Sequence, residues 1–150
     1  IYIDIVASLY QRDISYDQIK RTSKDIFIPL TVGGGVRSLE HYHKLFKAGA
    51  DKVCVNTFAL QVQPEIINDA SKIFGSQAVV VNIEAKYREG WWECFSDNGR
   101  IPSGKNVIEW AKEVEDRGSG EILLQSIDTD GRKRGFDMDL IRNVINNVQI

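Results

Sequence analysis

A chain of 150 residues with 43% hydrophobic and 27% charged side chains has the composition of an ordinary soluble domain, long enough to bury a core. A formal net charge of −2 argues against a nucleic-acid surface, and no apolar run reaches the length that crosses a bilayer. Cys54 and Cys94 have neither metal-ligand nor redox spacing, so a reduced, cytoplasmic setting is expected, without a disulfide, metal or cofactor.

The chain opens at Ile1 inside a strand pattern, without Met, and closes at Ile150 just past a helix; one domain is expected, cut at both ends. Ile1–Ile5 reads as a strand. Tyr16–Lys24 follows as a helix with Ser15 at its N-cap. Ile28–Val32 is a strand that runs into Gly33-Gly-Gly35, and a helix begins near Ser38. The apolar stripe Leu39, Tyr42, Leu45 and Phe46 sets that helix, and Gly49 closes it. Lys52–Val55 is a strand. Pro64 opens a helix with Ile66, Ile67, Ala70, Ile73 and Phe74 on its buried face, ended by Gly75. Ala78–Ile83 is an apolar run interrupted only by Asn82, the pattern of a strand covered on both faces. Lys86–Ile101 is too long for an ordinary strand-to-helix loop, and Trp91–Phe95 with the turn Asp97-Asn-Gly99 predicts a β-hairpin there. Val107–Asp116 is a helix capped by Asn106 and ended by Gly118. Glu121–Leu124 is another buried strand, and Asp137 caps a last helix carrying Leu140, Ile141, Val144 and Ile145.

Five strands and five helices in alternation mean right-handed βαβ units and a parallel sheet. A doubly wound dinucleotide fold would show G-x-G-x-x-G after its first strand, and this chain has none. A (β/α)₈ barrel gathers polar and glycine residues at the carboxyl ends of its strands. Here those ends carry Asp4 with Ser8, Gly33–Gly35, Asn56-Thr57, Glu84 with Lys86, and Ser126 with Asp128 and Asp130. The expected fold is therefore α/β: a partial (β/α)₈ TIM barrel of about five units with a hairpin insertion after its fourth strand.

Each strand end has a plain and a chemical reading. Three successive glycines leave backbone amides bare beside a helix start, which suits a phosphate; a tight turn needing positive φ is the alternative. Gly34 and Gly35 would form that cradle, and the Asn56 amide and Thr57 hydroxyl would complete it from the next strand; a helix N-cap is their other reading. Glu84 ends an apolar strand, where burial raises a carboxyl pKa, so it is the candidate general acid/base. Lys86, two residues on, faces the same side if the strand continues, as helper or as salt-bridge partner. Ser126-Ile-Asp128-Thr-Asp130-Gly131 spaces its oxygens like a calcium loop but has too few ligands. Asp130 and Gly131 are expected at a second substrate-binding edge. His41 and His43 read as surface residues, and Trp91, Trp92 and Trp110 as packing.

Several segments carry a likeness to a known family. They are Phe27-Ile-Pro-Leu-Thr-Val-Gly-Gly-Gly-Val-Arg37, Gly49-Ala-Asp-Lys-Val53 with Val55-Asn-Thr57, Phe74-Gly-Ser-Gln-Ala78, Gly120-Glu-Ile-Leu-Leu124, Ser126-Ile-Asp128 and Asp130-Gly131. Together, in order and over the whole chain, they resemble the cyclase subunit of imidazole glycerol phosphate synthase. The resemblance implies strands two to six of the barrel and an ammonia-dependent cyclase/lyase of histidine biosynthesis. Its substrate would be a bis-phosphorylated ribulosyl aminoimidazole carboxamide, and its ammonia would come from a glutaminase partner. It implies one phosphate on Gly35, Asn56 and Thr57 and the other near Asp130 and Gly131. It also implies an ammonia gate at Lys52 and Glu121, with Asp51 and Gln77 at the partner face.

Two departures from that family follow. Its strand-one catalytic aspartate lies outside this chain, and its strand-five aspartate is Glu84 here. The segment Ile83-Glu-Ala-Lys86 and the Asp97-Asn-Gly-Arg100 hairpin are similar to a related branch that assists amidation of surface-polysaccharide sugars, which is the alternative function. A phosphate-binding module without turnover is a third reading. A homo-oligomer joined through open barrel edges is expected in any case.

Overall fold

The computed structural model describes every residue except 8, 9, 11 and 13, so the Ser8 expectation lies outside the described residues. In chain order the elements are β1 (Tyr2–Ile3), α1 (Tyr16–Asp25), β2 (Thr31–Gly33), α2 (Leu39–Lys47) and β3 (Lys52–Val55). Next come α3 (Thr57–Gln61), α4 (Glu65–Phe74), a 3₁₀ turn (Ser76–Ala78) and β4 (Val79–Arg88). The chain then runs through β5 (Trp91–Ser96), β6 (Ile101–Asn106), α5 (Val107–Asp116), β7 (Glu121–Ser126) and α6 (Met138–Ile145).

The parallel strands β1, β2, β3, β4 and β7 pair in that order; β1, β2, β3 and β7 each lead to a helix directly and β4 leads to α5 through an insertion, which is a partial (β/α)₈ barrel. The register steps regularly: Ile3↔Gly33, Gly33↔Cys54, Cys54↔Val80 and Val80↔Glu121. Among the described residues β1 and β7 are each paired on one side only.

Strand alternation divides the side chains. Val53, Val55, Val79, Val81 and Ile83 join Tyr42, Leu45, Ile67, Trp110 and Leu140 in the core between sheet and helices. Period two sends the intervening residues Cys54, Asn82 and Glu84 to the opposite, inner face. Burial supplies the drive: Trp110, Tyr42 and Ile67 are the anchors of the helical layer, essentially without solvent contact. Caps fix two helix starts where the sequence placed them: Asn106 Oδ1 accepts from Ile108 N at 2.8 Å, and Asp137 Oδ1 from Leu140 N at 3.0 Å. Ser15 stands at the N-cap of α1 but makes no side-chain capping bond.

The insertion is larger than a hairpin. β4 does not stop at Ile83 or Glu84 but runs on to Arg88, turns at Glu89 and Gly90 (φ 50° and 94°), and returns antiparallel as β5. β6 then pairs with β5 to complete a three-stranded meander. Because Glu84 and Ala85 pair with both β7 and β5, the meander sits on the β3 side of β4, beyond the point where β3 ends. The sequence pattern missed the extension because Lys86–Arg88 is polar and half-exposed, with no apolar alternation to mark it.

Candidate active site at the carboxyl ends of the strands

The loops after β1, β2 and β3, the middle of β4 and the β5–β6 turn enclose a cavity of about 620 Å³. Of the residues singled out by sequence, Asp4, Gly34, Gly35, Asn56, Thr57 and Glu84 line it together. The triple-glycine segment and the Asn-Thr pair therefore share one rim.

Each glycine also has a packing reason. A Cβ on Gly33 would stand 2.7 Å from Cys54 O, one on Gly34 2.3 Å from Asp4 O, and one on Gly35 2.8 Å from Arg12 O. All three obstructing atoms are backbone. Gly34 and Gly35 add φ values of +105° and +66°, a region L side chains rarely adopt. Close approach of β1, β3 and the β1–α1 loop thus explains three glycines without a ligand. What favours an anion is the company they keep at the rim.

Glu84 is 6% exposed. Its Oε2 accepts from Gly99 N at 2.8 Å, and the Asn56 side-chain amide donates to the same carboxyl group. Burial raises its pKa; the two donors oppose this, and the nearby Asp97 carboxylate adds to it. The result is a carboxyl group inclined to hold its proton, with its orientation fixed from two sides.

The turn Asp97-Asn98-Gly99 is what delivers one of those donors. Its three residues take positive φ in succession, 49°, 60° and 73°, and fold the turn back over the rim. Asp97 N donates to Thr57 Oγ1 at 3.1 Å, and Gln61 Nε2 donates to Ser96 Oγ at 3.2 Å. Thr57 thereby uses its oxygen as an acceptor and keeps its O–H proton to offer. Asp97 and Asn98 join the cavity wall.

Other expected residues lie elsewhere. Lys86 is not among the cavity-lining residues. β4 carries it past the site into the meander, where its ammonium stands 5.8 Å from the Phe95 ring centroid. Asp4 lines the cavity, but its carboxylate is paired with Arg12 at 2.8 Å. Asp128 accepts from Tyr87 N at 2.9 Å and so pins the β4 extension. Ser126 donates to the Asp137 cap at 3.1 Å.

Asp130 and Gly131 belong to a neighbouring cavity of about 450 Å³, where Asp130 accepts from Gln125 Nε2 at 2.7 Å. Leu123 and Gln125 line both cavities and form the wall between them. The carboxylates of Asp128 and Asp130 thus turn to different protein partners, unlike the converging oxygens of a calcium loop.

At the opposite ends of the strands, Lys52 Nζ and Glu121 form an ion pair between the first residues of β3 and β7. Asp51 accepts from Leu30 N at 2.7 Å, and Gln77 sits in the 3₁₀ turn before β4. The four residues expected at the gate and partner face thus share the rim away from the cavity.

Sequence reasoning passed over four contributors. Asn82 was visible as the one polar break in an apolar run, Gln125 as a polar residue at a strand end. Asp97 and Gly99 carried only a turn signal; that this turn lands on Glu84 is a tertiary fact.

Comparison with known proteins agrees with the likeness. The chain matches the profile of the family described as histidine biosynthesis protein over residues 1–150. It is 48% identical over 151 residues to the imidazole glycerol phosphate synthase subunit HisF of Legionella pneumophila, an alignment covering all of this chain and 71% of that protein. It is 45% identical over 150 residues to the subunit of the same name from Thermococcus onnurineus (strain NA1), covering all of this chain and 59% of that one.

Proposed function

The chain belongs to the histidine biosynthesis protein family, and we propose that it carries the acid/base and first phosphate-binding parts of an ammonia-dependent cyclase of the imidazole glycerol phosphate synthase type. The observation that carries this reading is the meeting of Glu84 with Gly35, Asn56 and Thr57 in one cavity. A phosphate seated on the Gly35 backbone and the Thr57 hydroxyl would fix one end of a substrate. The reacting atoms would then fall near Glu84, a buried carboxyl group on that wall. Positioning of this kind supplies a large part of a catalysed rate.

Glu84 suits both directions of proton transfer. Protonated, it gives a proton to an oxygen that leaves or is reduced in bond order; ionised, it takes one from the attacking nitrogen. Its raised pKa brings the two forms closer to balance near neutral pH than an exposed carboxyl would allow. The Gly99 and Asn56 amides hold the carboxyl group in a fixed orientation toward the cavity.

The second cavity, with Asp130 and Gly131 at its edge, would take the far phosphate of a two-ended substrate, with Gln125 between. The Lys52–Glu121 pair at the other rim would gate the entry of ammonia from a glutaminase docked beside Asp51 and Gln77. Such an arrangement would keep the ammonia entrance and the substrate entrance on opposite ends of the same strands.

The test is turnover of the phosphorylated ribulosyl substrate with ammonium salt by the full-length protein and its Glu84→Gln variant. Loss of about 100-fold or more in kcat for the variant is expected for a positioned acid/base. A variant as active as the parent would remove Glu84 from the mechanism.

A further inference from the structure

Two acceptor oxygens in the main cavity have no donor among the described residues. Asn82 is 7% exposed, and its Oδ1 is buried without a hydrogen-bond partner. The Asn56 Oδ1, one strand away, is in the same condition. The register Val55↔Val81 sets Asn56 level with Asn82, and both residues line the cavity. Asn82 also lies two residues before Glu84 on β4, so the two share a face.

Nothing in the fold asks for a carboxamide at this point. The preceding inward residue on β4, Val80, is apolar and 1% exposed, and the residue across the β4–β7 register from Asn82 is Leu123. The Asn82 backbone N–H is already spent on Cys54. An apolar residue at 82 would avoid an unmade hydrogen bond, which buried polar groups rarely leave standing. A polar group that the protein does not satisfy, aimed into a cavity beside a candidate acid/base, is a group kept for a ligand.

The chemistry of that ligand is set by what is missing. Two acceptors without donors call for a small group that donates more than one hydrogen bond. Ammonia offers three N–H donors and is small enough to sit between two side chains on neighbouring strands. We propose that Asn82, together with Asn56, is the binding residue for the nitrogen nucleophile: the two carboxamide oxygens accept N–H bonds from ammonia and hold it beside Glu84. This rests on the ammonia-using reading above and adds to it the residues that seat the nucleophile.

Two measurements on the full chain test it. In the first, ammonium is titrated at saturating phosphorylated substrate for the parent and for Asn82→Leu, which keeps the size and removes the acceptor. The expected result is a KM for ammonium raised about tenfold, with kcat within about twofold and the KM of the phosphorylated substrate unchanged. Melting at or above the parent temperature would accompany it, because a buried unpaired oxygen is gone. An unchanged KM for ammonium with a higher melting temperature would overturn the proposal and leave Asn82 a structural orphan.

The second measurement follows the Asn82 side-chain amide signal of the nitrogen-15-labelled parent during titration with ammonium chloride and, separately, potassium chloride. A shift with ammonium alone supports the site. No shift with ammonium, or the same shift with potassium, overturns it. A shift with ammonium in a protein that shows no turnover would sink the proposed reaction and leave this site standing.

Discussion

Replacing Gly34 by alanine should injure this fold more than the same change at Gly131, and the structure says by how much. Both glycines hold positive φ, +105° and +69°. That conformation alone costs an L residue about 1–2 kcal/mol. Gly131 has no heavy atom within 4 Å of a built Cβ, so the backbone term is its whole cost. A Cβ on Gly34 would stand 2.3 Å from Asp4 O and 2.8 Å from Asp4 N, both main-chain atoms that no rotamer change can clear. The only relief is to push β1 outward. That breaks the 3.0 Å bond from Asp4 N to Gly33 O and loosens a strand held by just two register pairs, Tyr2↔Val32 and Ile3↔Gly33.

One lost hydrogen bond adds about 1 kcal/mol to the strain, for a total of about 2–3 kcal/mol. At about 2–4 °C per kcal/mol for a chain of this size, Gly131→Ala should melt roughly 2–8 °C below the parent, and Gly34→Ala about 2–4 °C lower still. Urea titration read by tryptophan fluorescence and thermal melts followed by circular dichroism would measure both. Equal losses for the two variants, or a Gly34→Ala loss under about 0.5 kcal/mol, would refute the steric argument, because the difference rests on the Asp4 contact alone.

Glu84 also makes a prediction about pH. Its folded pKa lies above the unfolded value because of burial, so between the two the folded chain binds the extra proton and stability falls as pH rises through that window. Glu84→Gln should remove that slope and melt at or above the parent on the alkaline side; melts across about pH 4 to 8 check it. Thr57→Val keeps the shape but loses the hydroxyl that accepts from Asp97 N, which should cost about 1 kcal/mol. The same variant should lose most of the rise in melting temperature that inorganic phosphate gives the parent. Cys54 and Cys94 are buried free thiols whose pKa values burial pushes up to about 12, so neither should react with a thiol reagent at neutral pH until the chain unfolds. The single-sided pairing of β1 and β7 should make this chain associate at high concentration, and light scattering that returns a clean monomer would contradict it.

Local chemistry wrote much of this molecule into the sequence. Lys52–Val55 and Val107–Asp116 have the bounds their patterns give. Both are bracketed by strong punctuation, Gly49 before the strand and Asn106 and Gly118 around the helix, and apolar periodicity within a few residues is enough to define them. The parallel topology followed in the same way, because alternating strand and helix patterns leave a βαβ chain one handedness and one sheet type. Even Asn82 was visible, as the residue that interrupts an otherwise apolar strand.

Distance along the chain hid the rest. Asn56 and Glu84 are 28 residues apart, and the bond between them exists only because β3 and β4 are neighbours in register. Gly99 reaches Glu84 because β4 continues past the rim and brings its own return strand back across the end of β3. No local pattern specifies that landing point, which depends on three turn residues holding left-handed φ. The glycines teach the converse lesson. Their number pointed toward a phosphate, yet backbone crowding from β1, β3 and the β1–α1 loop accounts for each of them, and only the assembled rim shows what company the bare amides keep.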